Sequence, residues 1–214
     1  NALSYVAVLA AYALMREGEL RPAVRIAMAR TVRGVLAQLG EGLRYARRTP
    51  VIRLALLTLG IVAVAGMNSS VLMPVYARDV LGGDARTFGF LMAASGIGSL
   101  LSALLIAGGL RPSLTLVVLG ATALGAALVA LSIVHLTVVA LPLMVVLGWS
   151  VIAMAATTNT LIQTTVPDEL RGRVLSIFTT VFAGSTPIGG LIAGSIAALA
   201  GVGAALFFGG AVAR

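Results

Sequence analysis

The chain has 214 residues, of which 59% are hydrophobic and only 10% are charged, and its mean hydropathy is +1.07. This composition excludes an ordinary soluble domain, in which about a quarter of the residues are charged. The net charge of +8 comes from arginines in short segments between apolar runs, which favours contact with anionic lipid headgroups and argues against nucleic acid as a partner.

Long uncharged runs predict transmembrane helices, because about 20 apolar residues cross the ~30 Å hydrocarbon layer. A partial helix at 1–15 precedes a basic segment at 16–50. Five complete spans and a final partial one follow, near 51–77, 87–109, 113–133, 137–163, 173–199 and from 202. Alternation typical of β-strands is missing, so the predicted fold is all-α, a polytopic transmembrane helical bundle. The two terminal stretches are too short to cross alone, and we expect the chain to be a piece of a longer one.

The basic segment 16–50 is predicted to be a cytoplasmic linker that contains an amphipathic helix. Five apolar residues fall on one face at helical spacing: Val32, Val35, Leu36, Leu39 and Leu43. Arginines crowd the remainder of this helix. The pattern indicates a helix at the membrane interface, with its apolar side on the bilayer and its guanidinium groups among phosphates. A solvated linker helix without contact to lipid is the alternative.

The arginines also predict the orientation of the bundle. Nine of the 15 lie between Arg16 and Arg53, and three more are Arg111, Arg171 and Arg173. Loops that alternate between basic and neutral are typical of a polytopic membrane protein with its basic loops in the cytoplasm. The segments 16–50, 109–113 and 164–172 are therefore predicted to face the cytoplasm, and the loops 78–86 and 134–137 the outside. The expected location is the bacterial inner membrane.

Polar and aromatic residues inside the predicted spans are candidates for a substrate cavity, because polar groups are costly in lipid. Hydroxyls often bond to their own helix, whereas a carboxamide is harder to satisfy locally, which singles out Asn68 and Asn159. Trp149 lies at the centre of its span and is either a packing residue or an aromatic wall. Thr179, which shares one side of its span with other hydroxyls, completes the set.

Small residues and prolines indicate how the spans pack. Faces with a small residue at every fourth position let helices approach closely in lipid. Two such faces are Ala94-Gly98-Ser102 and Gly190-Gly194-Ala198. Pro187, with glycines on both sides, predicts a helix kink that is either static or part of a moving helix.

A cluster of charged residues precedes the fifth complete span and is a candidate cytoplasmic gate: Asp168, Glu169, Arg171 and Arg173. Acidic residues in a first helical turn complement the helix dipole, and the arginines can reach either headgroups or these carboxylates. We expect the cluster to close the inner end of the bundle in one state. A purely topological anchor is the alternative.

No combination of residues predicts an enzyme. The sequence has one histidine, no cysteine and no Ser/His/Asp set, and it lacks the glycine patterns of nucleotide-binding loops. We therefore expect no catalytic residue, no metal site and no cofactor. No carboxylate lies inside a complete span, so an acid that couples transport to protons would have to lie outside these segments.

Two blocks of residues resemble the major facilitator superfamily: Glu41-Gly-Leu-Arg-Tyr-Ala-Arg-Arg-Thr-Pro50 before one span, and Pro167-Asp-Glu-Leu-Arg-Gly-Arg-Val174 at the start of another. Asn1-Ala-Leu-Ser-Tyr5 is similar to the middle of the sixth helix in the branch of enterobactin-exporter-like and macrolide-efflux-like permeases, the transmembrane secretion effectors. The resemblance covers essentially the whole chain. It implies that 51–214 corresponds to helices seven to eleven and part of twelve, in the second of two six-helix bundles. The loop 108–113 keeps only Arg111 of the family's gate motif, so charge-relay gating is not expected there.

The resemblance implies a secondary active transmembrane transporter, an exporter of small amphipathic molecules such as drugs or siderophores by proton antiport. The expected partners are the small-molecule substrate, the lipid bilayer, the proton as coupling ion, and the missing N-terminal half of the same chain. A non-transporting membrane scaffold, or a permease-like subunit that requires a partner, is the alternative. An upstream reading frame with further spans and a buried charged residue would favour the exporter.

Overall fold

The computed structural model describes residues 2–15 and 31–213, nearly all of them helical. In chain order the elements are α1 (Ala2–Ala13), α2 (Val32–Arg48), α3 (Pro50–Ala65), α4 (Ser69–Val75), a π-helical turn (Tyr76–Val80), α5 (Ala85–Ala107), α6 (Leu114–Leu131), α7 (Thr137–Thr165) and α8 (Asp168–Val212). No strand occurs in the two described ranges. The predicted all-α class is confirmed, whereas residues 16–30 of the predicted linker lie outside the described residues.

Four helices, α5 to α8, are long and apolar enough to cross a membrane, with mean hydropathies between 2.0 and 2.4. α2 and α3 pass the same test only together, and they meet at an angle of 103°. α8 contains the turn predicted near residue 201. Gly201 has φ +86° and ψ 163°, a conformation that favours glycine, and the chain after it returns along the bundle.

Local sequence signals set the starts of the spans. Pro50 occupies the first turn of α3, where its missing N–H costs nothing. At α5 the carboxylate of Asp84 accepts hydrogen bonds from the backbone amides of Thr87 and Arg86, each at 3.0 Å. The Thr87 amide is the largest cause that lowers the pKa of Asp84 below its ordinary value. The Ser113 hydroxyl caps α6 in a similar way.

The first predicted span, 51–77, contains a break in the structure. α3 and α4 are separated by a break at residues 66–68. In a continuous helix the backbone N–H of Asn68 would donate to the carbonyl of Val64, whereas here the side-chain Nδ2 donates to it at 2.8 Å. Pro74 removes another backbone donor, and a π-helical turn follows it. The break is too short to change the average hydropathy of the apolar run, which is why the run was predicted as one span.

The closest crossing in the bundle is between α5 and α7. A Cβ atom on Gly98 would lie only 1.9 Å from the carbonyl oxygen of Val145, and one on Gly148 only 1.9 Å from that of Ser95. Gly98 lies in the predicted small-residue face of α5, whose three residues are all buried. The prediction of a close helix approach at this face is confirmed.

The second predicted small-residue face is wrong in register. The buried face of α8 is Ser185-Gly189-Ala193, one position removed from the predicted Gly190-Gly194-Ala198. A Cβ atom on Gly189 would lie 2.4 Å from the carbonyl oxygen of Val64, so α8 contacts α3 there. Both faces of α8 have a small residue at every fourth position, so the spacing alone fits either of them. Only the rotation of α8 about its axis decides which face packs against α3.

Candidate functional site

A cavity of about 1100 Å³ lies between α4, α5, α7 and α8. It is lined by Met67, Val71, Ser95, Ser99, Leu147, Gly148, Val151, Phe182, Ala183, Thr186, Pro187, Gly190 and Leu191. The wall is mostly apolar, and none of these described lining residues is charged. Three hydroxyls, on α5 and α8, supply its polar side chains. A surface of this kind suits a molecule with a large apolar part and few hydrogen-bonding groups.

Phe182 is the aromatic side chain of the cavity wall. Its ring stacks on that of Phe178, with 6.0 Å between the centroids and 5° between the planes. Phe178 is buried, so this contact restrains the ring of Phe182, which is half-buried at the cavity surface. Phe182 is not among the cavity residues predicted from the sequence. Two features of the sequence could have indicated it: Phe182 lies four residues after Phe178, on the same helix face, and about one turn before Pro187.

On the opposite wall, the Ser99 hydroxyl is already used by the fold. It donates a hydrogen bond to the carbonyl of Gly148 at 3.2 Å and thus ties α5 to α7. The hydroxyls of Ser95 and Thr186 are the remaining polar side chains of the lining. The described lining therefore offers few specific hydrogen bonds to a ligand.

Asn68 lies beside the cavity, next in sequence to the lining residue Met67. It is 1% exposed, and its carboxamide lies against the backbone of Gly189. Nδ2 donates to Val64, while Oδ1 has no hydrogen-bond partner among the described residues. The carboxamide was predicted to be hard to satisfy by local hydrogen bonds. This holds for Oδ1 but not for Nδ2, whose acceptor lies only four residues earlier.

The other three candidate residues also lie outside the lining. Trp149 is half-buried on α7, where its backbone faces the α5 crossing. Asn159 accepts a hydrogen bond from Gln163 one turn later on α7. Thr179 is exposed, and its hydroxyl donates to the carbonyl of Leu175 at 3.0 Å. Contact of these residues with a substrate stays a prediction.

Pro187 does line the cavity, next to Thr186. The dihedral angles that depart from helical values within α8 are those of Gly201, not those of Pro187. The interruption between the predicted spans at 173–199 and from 202 is therefore at Gly201, and a kink at Pro187 stays a prediction.

Both arginines of the charged cluster at the start of α8 form ion pairs. Arg171 pairs with Asp168 on the same helix, and Arg173 pairs with Glu41 of α2. Glu169 is exposed. Glu41 lies in one of the two blocks that resemble the family. Its partner was not predicted, because residues 132 positions apart in sequence are joined only by the fold.

Three further contacts dock α2 against the same end of the bundle. The Tyr45 hydroxyl donates to the carbonyl of Thr165 at 3.3 Å, across the end of α7. Ala46 is 3% exposed, and a Cβ atom on Gly42 would lie 3.0 Å from Cβ of Arg173. α2 is therefore a part of the folded bundle along this face, and not a free linker.

These observations define a multi-pass membrane protein with a neutral cavity between its spans. A family model described as transmembrane secretion effector matches residues 1–213, and the chain belongs to this family of major facilitator superfamily transporters. The multidrug efflux pump Tap of Mycolicibacterium fortuitum is 32% identical over 179 residues, which are 78% of this chain and 41% of that protein. The chain thus spans less than half the length of this relative. No solved structure matches it significantly.

Proposed function

We propose that this chain forms the second half of a secondary active exporter of small amphipathic molecules. The observation that supports the proposal is the cavity, whose wall combines a restrained aromatic ring, many apolar side chains and a few hydroxyls. Such a wall accepts varied apolar groups without demanding one pattern of hydrogen bonds. The similarity to a multidrug efflux pump is consistent with a broad substrate range.

We propose proton antiport as the energy source, with the coupling acid supplied by the part of the protein beyond this chain. Moving a proton requires a titratable group that both sides of the membrane can reach, and the described lining residues of the cavity include none. The two halves would then divide the work, because this half supplies a neutral wall and the other half supplies the charge.

Accumulation assays on the complete protein test both proposals. The complete reading frame is expressed in an efflux-deficient bacterium, and uptake of a panel of fluorescent amphipathic compounds is followed with and without a protonophore. We expect lower accumulation that the protonophore reverses. Accumulation equal to that of the empty host across the whole panel would contradict an exporter and favour the non-transporting membrane subunit. Export that persists with the protonophore would contradict proton coupling but would leave the proposal of an exporter intact.

A further inference from the structure

The end of the bundle that carries α2 has a basic cleft. The cleft has a volume of about 500 Å³ and is lined by Glu41, Arg44, Tyr45, Arg48, Thr49 and Leu170. Arg44 and Arg48 are four residues apart on α2, so their side chains lie on the same helix face, with about 5–6 Å between Cβ atoms. Both are exposed.

Glu41 does not neutralise the positive charge of Arg44 and Arg48 in the cleft. Glu41 is paired with Arg173 of α8, and the Tyr45 hydroxyl donates to the Thr165 carbonyl. The guanidinium groups of Arg44 and Arg48 therefore give the cleft a net positive charge. Two guanidinium groups one turn apart suit a phosphate, which accepts paired hydrogen bonds from each of them.

The position of the cleft selects the source of that phosphate. α3 begins at Pro50, its uncharged run starts after Arg53, and α2 meets it at 103°. α2 therefore lies along the membrane surface when α3 crosses it, with the cleft at the depth of the headgroups. Leu39 and Leu43 are each 41% exposed on α2, and they offer apolar contact to the acyl region.

We propose that this cleft binds the phosphate of an anionic phospholipid, with Arg44 and Arg48 as its ligands. The lipid occupies a defined site between α2 and the start of α8, in addition to the diffuse attraction of a basic surface. Through the Glu41–Arg173 pair, the site lies next to the candidate gate.

Lipid binding to the purified complete protein in detergent tests the site. Phosphatidylglycerol and phosphatidylcholine are titrated separately, and bound lipid is counted by native mass spectrometry. We expect phosphatidylglycerol to bind more tightly than phosphatidylcholine. The double substitution R44Q/R48Q should weaken binding of phosphatidylglycerol by about 30-fold, from the loss of two basic contacts at a membrane surface. R44K/R48K should bind with an affinity between those of the parent and R44Q/R48Q, because an ammonium group keeps the charge but not the paired hydrogen bonds.

The matched control removes two exposed arginines at the opposite end of the bundle. R78Q/R86Q lowers the net charge by the same amount and should leave phosphatidylglycerol binding unchanged. Equal weakening by both double substitutions would overturn a defined site. Competition by glycerophosphoglycerol, at concentrations similar to those of the lipid, would show that the ligand is a soluble phosphate and would overturn the proposal of a lipid. Competition by polyglutamate would overturn it in favour of an acidic peptide. Circular dichroism of each variant confirms that the helices are intact.

Discussion

Asn68 illustrates how a polar side chain in a membrane span is used by the backbone. At the break between α3 and α4, its Nδ2 takes the place of the missing backbone donor to Val64. Carbonyls exposed by a helix break must find a partner, because lipid offers none. The residue type was a correct signal of an unusual position, which is a helix end beside the cavity. Contact of Asn68 with a substrate stays a prediction.

Phe182 is expected to decide which aromatic compounds this half of the cavity accepts. Phe182→Ala removes the restrained ring and should weaken the transport of aromatic substrates by about ten-fold, with a smaller effect on aliphatic ones. Transport by the complete protein across a matched panel measures this. Phe207→Ala is the control, because Phe207 is 56% exposed and lies outside the lining.

Trp149→Ala provides the comparison with the sequence-based candidate. A changed substrate profile in Trp149→Ala, together with an unchanged one in Phe182→Ala, would contradict the assignment of the aromatic wall to Phe182.

At the scale of the element, the α5–α7 crossing is the most constrained contact. Gly98→Ala places a methyl group where the Val145 carbonyl oxygen already lies, so the helices must separate. We expect a loss of about 1–3 kcal/mol in the free energy of unfolding. Thermal unfolding in detergent measures the change.

Gly96→Ala is the matched control for this crossing. Gly96 lies on the same helix, and apart from its chain neighbours and the backbone of its own helix no atom lies within 4 Å of the position of its added Cβ. Alanine also favours the helix over glycine, so this variant should be as stable as the parent or more so. Equal destabilisation by both substitutions would show that the crossing does not limit stability.

The contact between α2 and α8 is expected to affect function more than stability. The Arg173–Glu41 pair is partly exposed, and such pairs contribute about 0–1 kcal/mol to stability. If the pair closes the inner end of the bundle, Glu41→Gln should lower transport by about five-fold with little loss of inserted protein. Transport rate and membrane abundance of the complete protein are both measured.

The exchanged pair E41R/R173E separates a specific contact from a general effect of charge. It should restore most of the transport that either single reversal removes. Arg47→Gln, which removes an exposed charge of α2 outside the gate cluster, is the control and should have little effect. Failure of the exchanged pair to restore transport would favour a topological anchor over a gate.

For the whole molecule, the arginine-rich loops predict which end faces the cytoplasm. Arg111 and His135 are both exposed, in loops at opposite ends of α6. The absence of cysteine from the sequence makes single-cysteine variants clean probes. We expect an impermeant maleimide to label His135→Cys on intact cells, and to label Arg111→Cys only after the membrane is opened. The reverse pattern would invert the bundle.

Composition and spacing by themselves determined the all-α membrane class, the limits of α5, α6 and α7 to within two residues, the turn at Gly201 and the close approach at Gly98. These features depend on the length of apolar runs and on residues within one or two helical turns, which a sequence displays directly. The resemblance in the blocks at 41–50 and 167–174 added the family, which the match over residues 1–213 confirmed.

Only the tertiary structure decided how those helices are rotated and joined. It selected Gly189 over Gly190 as the packed face of α8, broke the first span at 66–68, put Phe182 on the cavity wall and paired Arg173 with Glu41. The physical reason is that in lipid every face of an apolar helix is acceptable to the solvent, so hydropathy carries little information about rotation. Contacts between helices distant in sequence supply it instead.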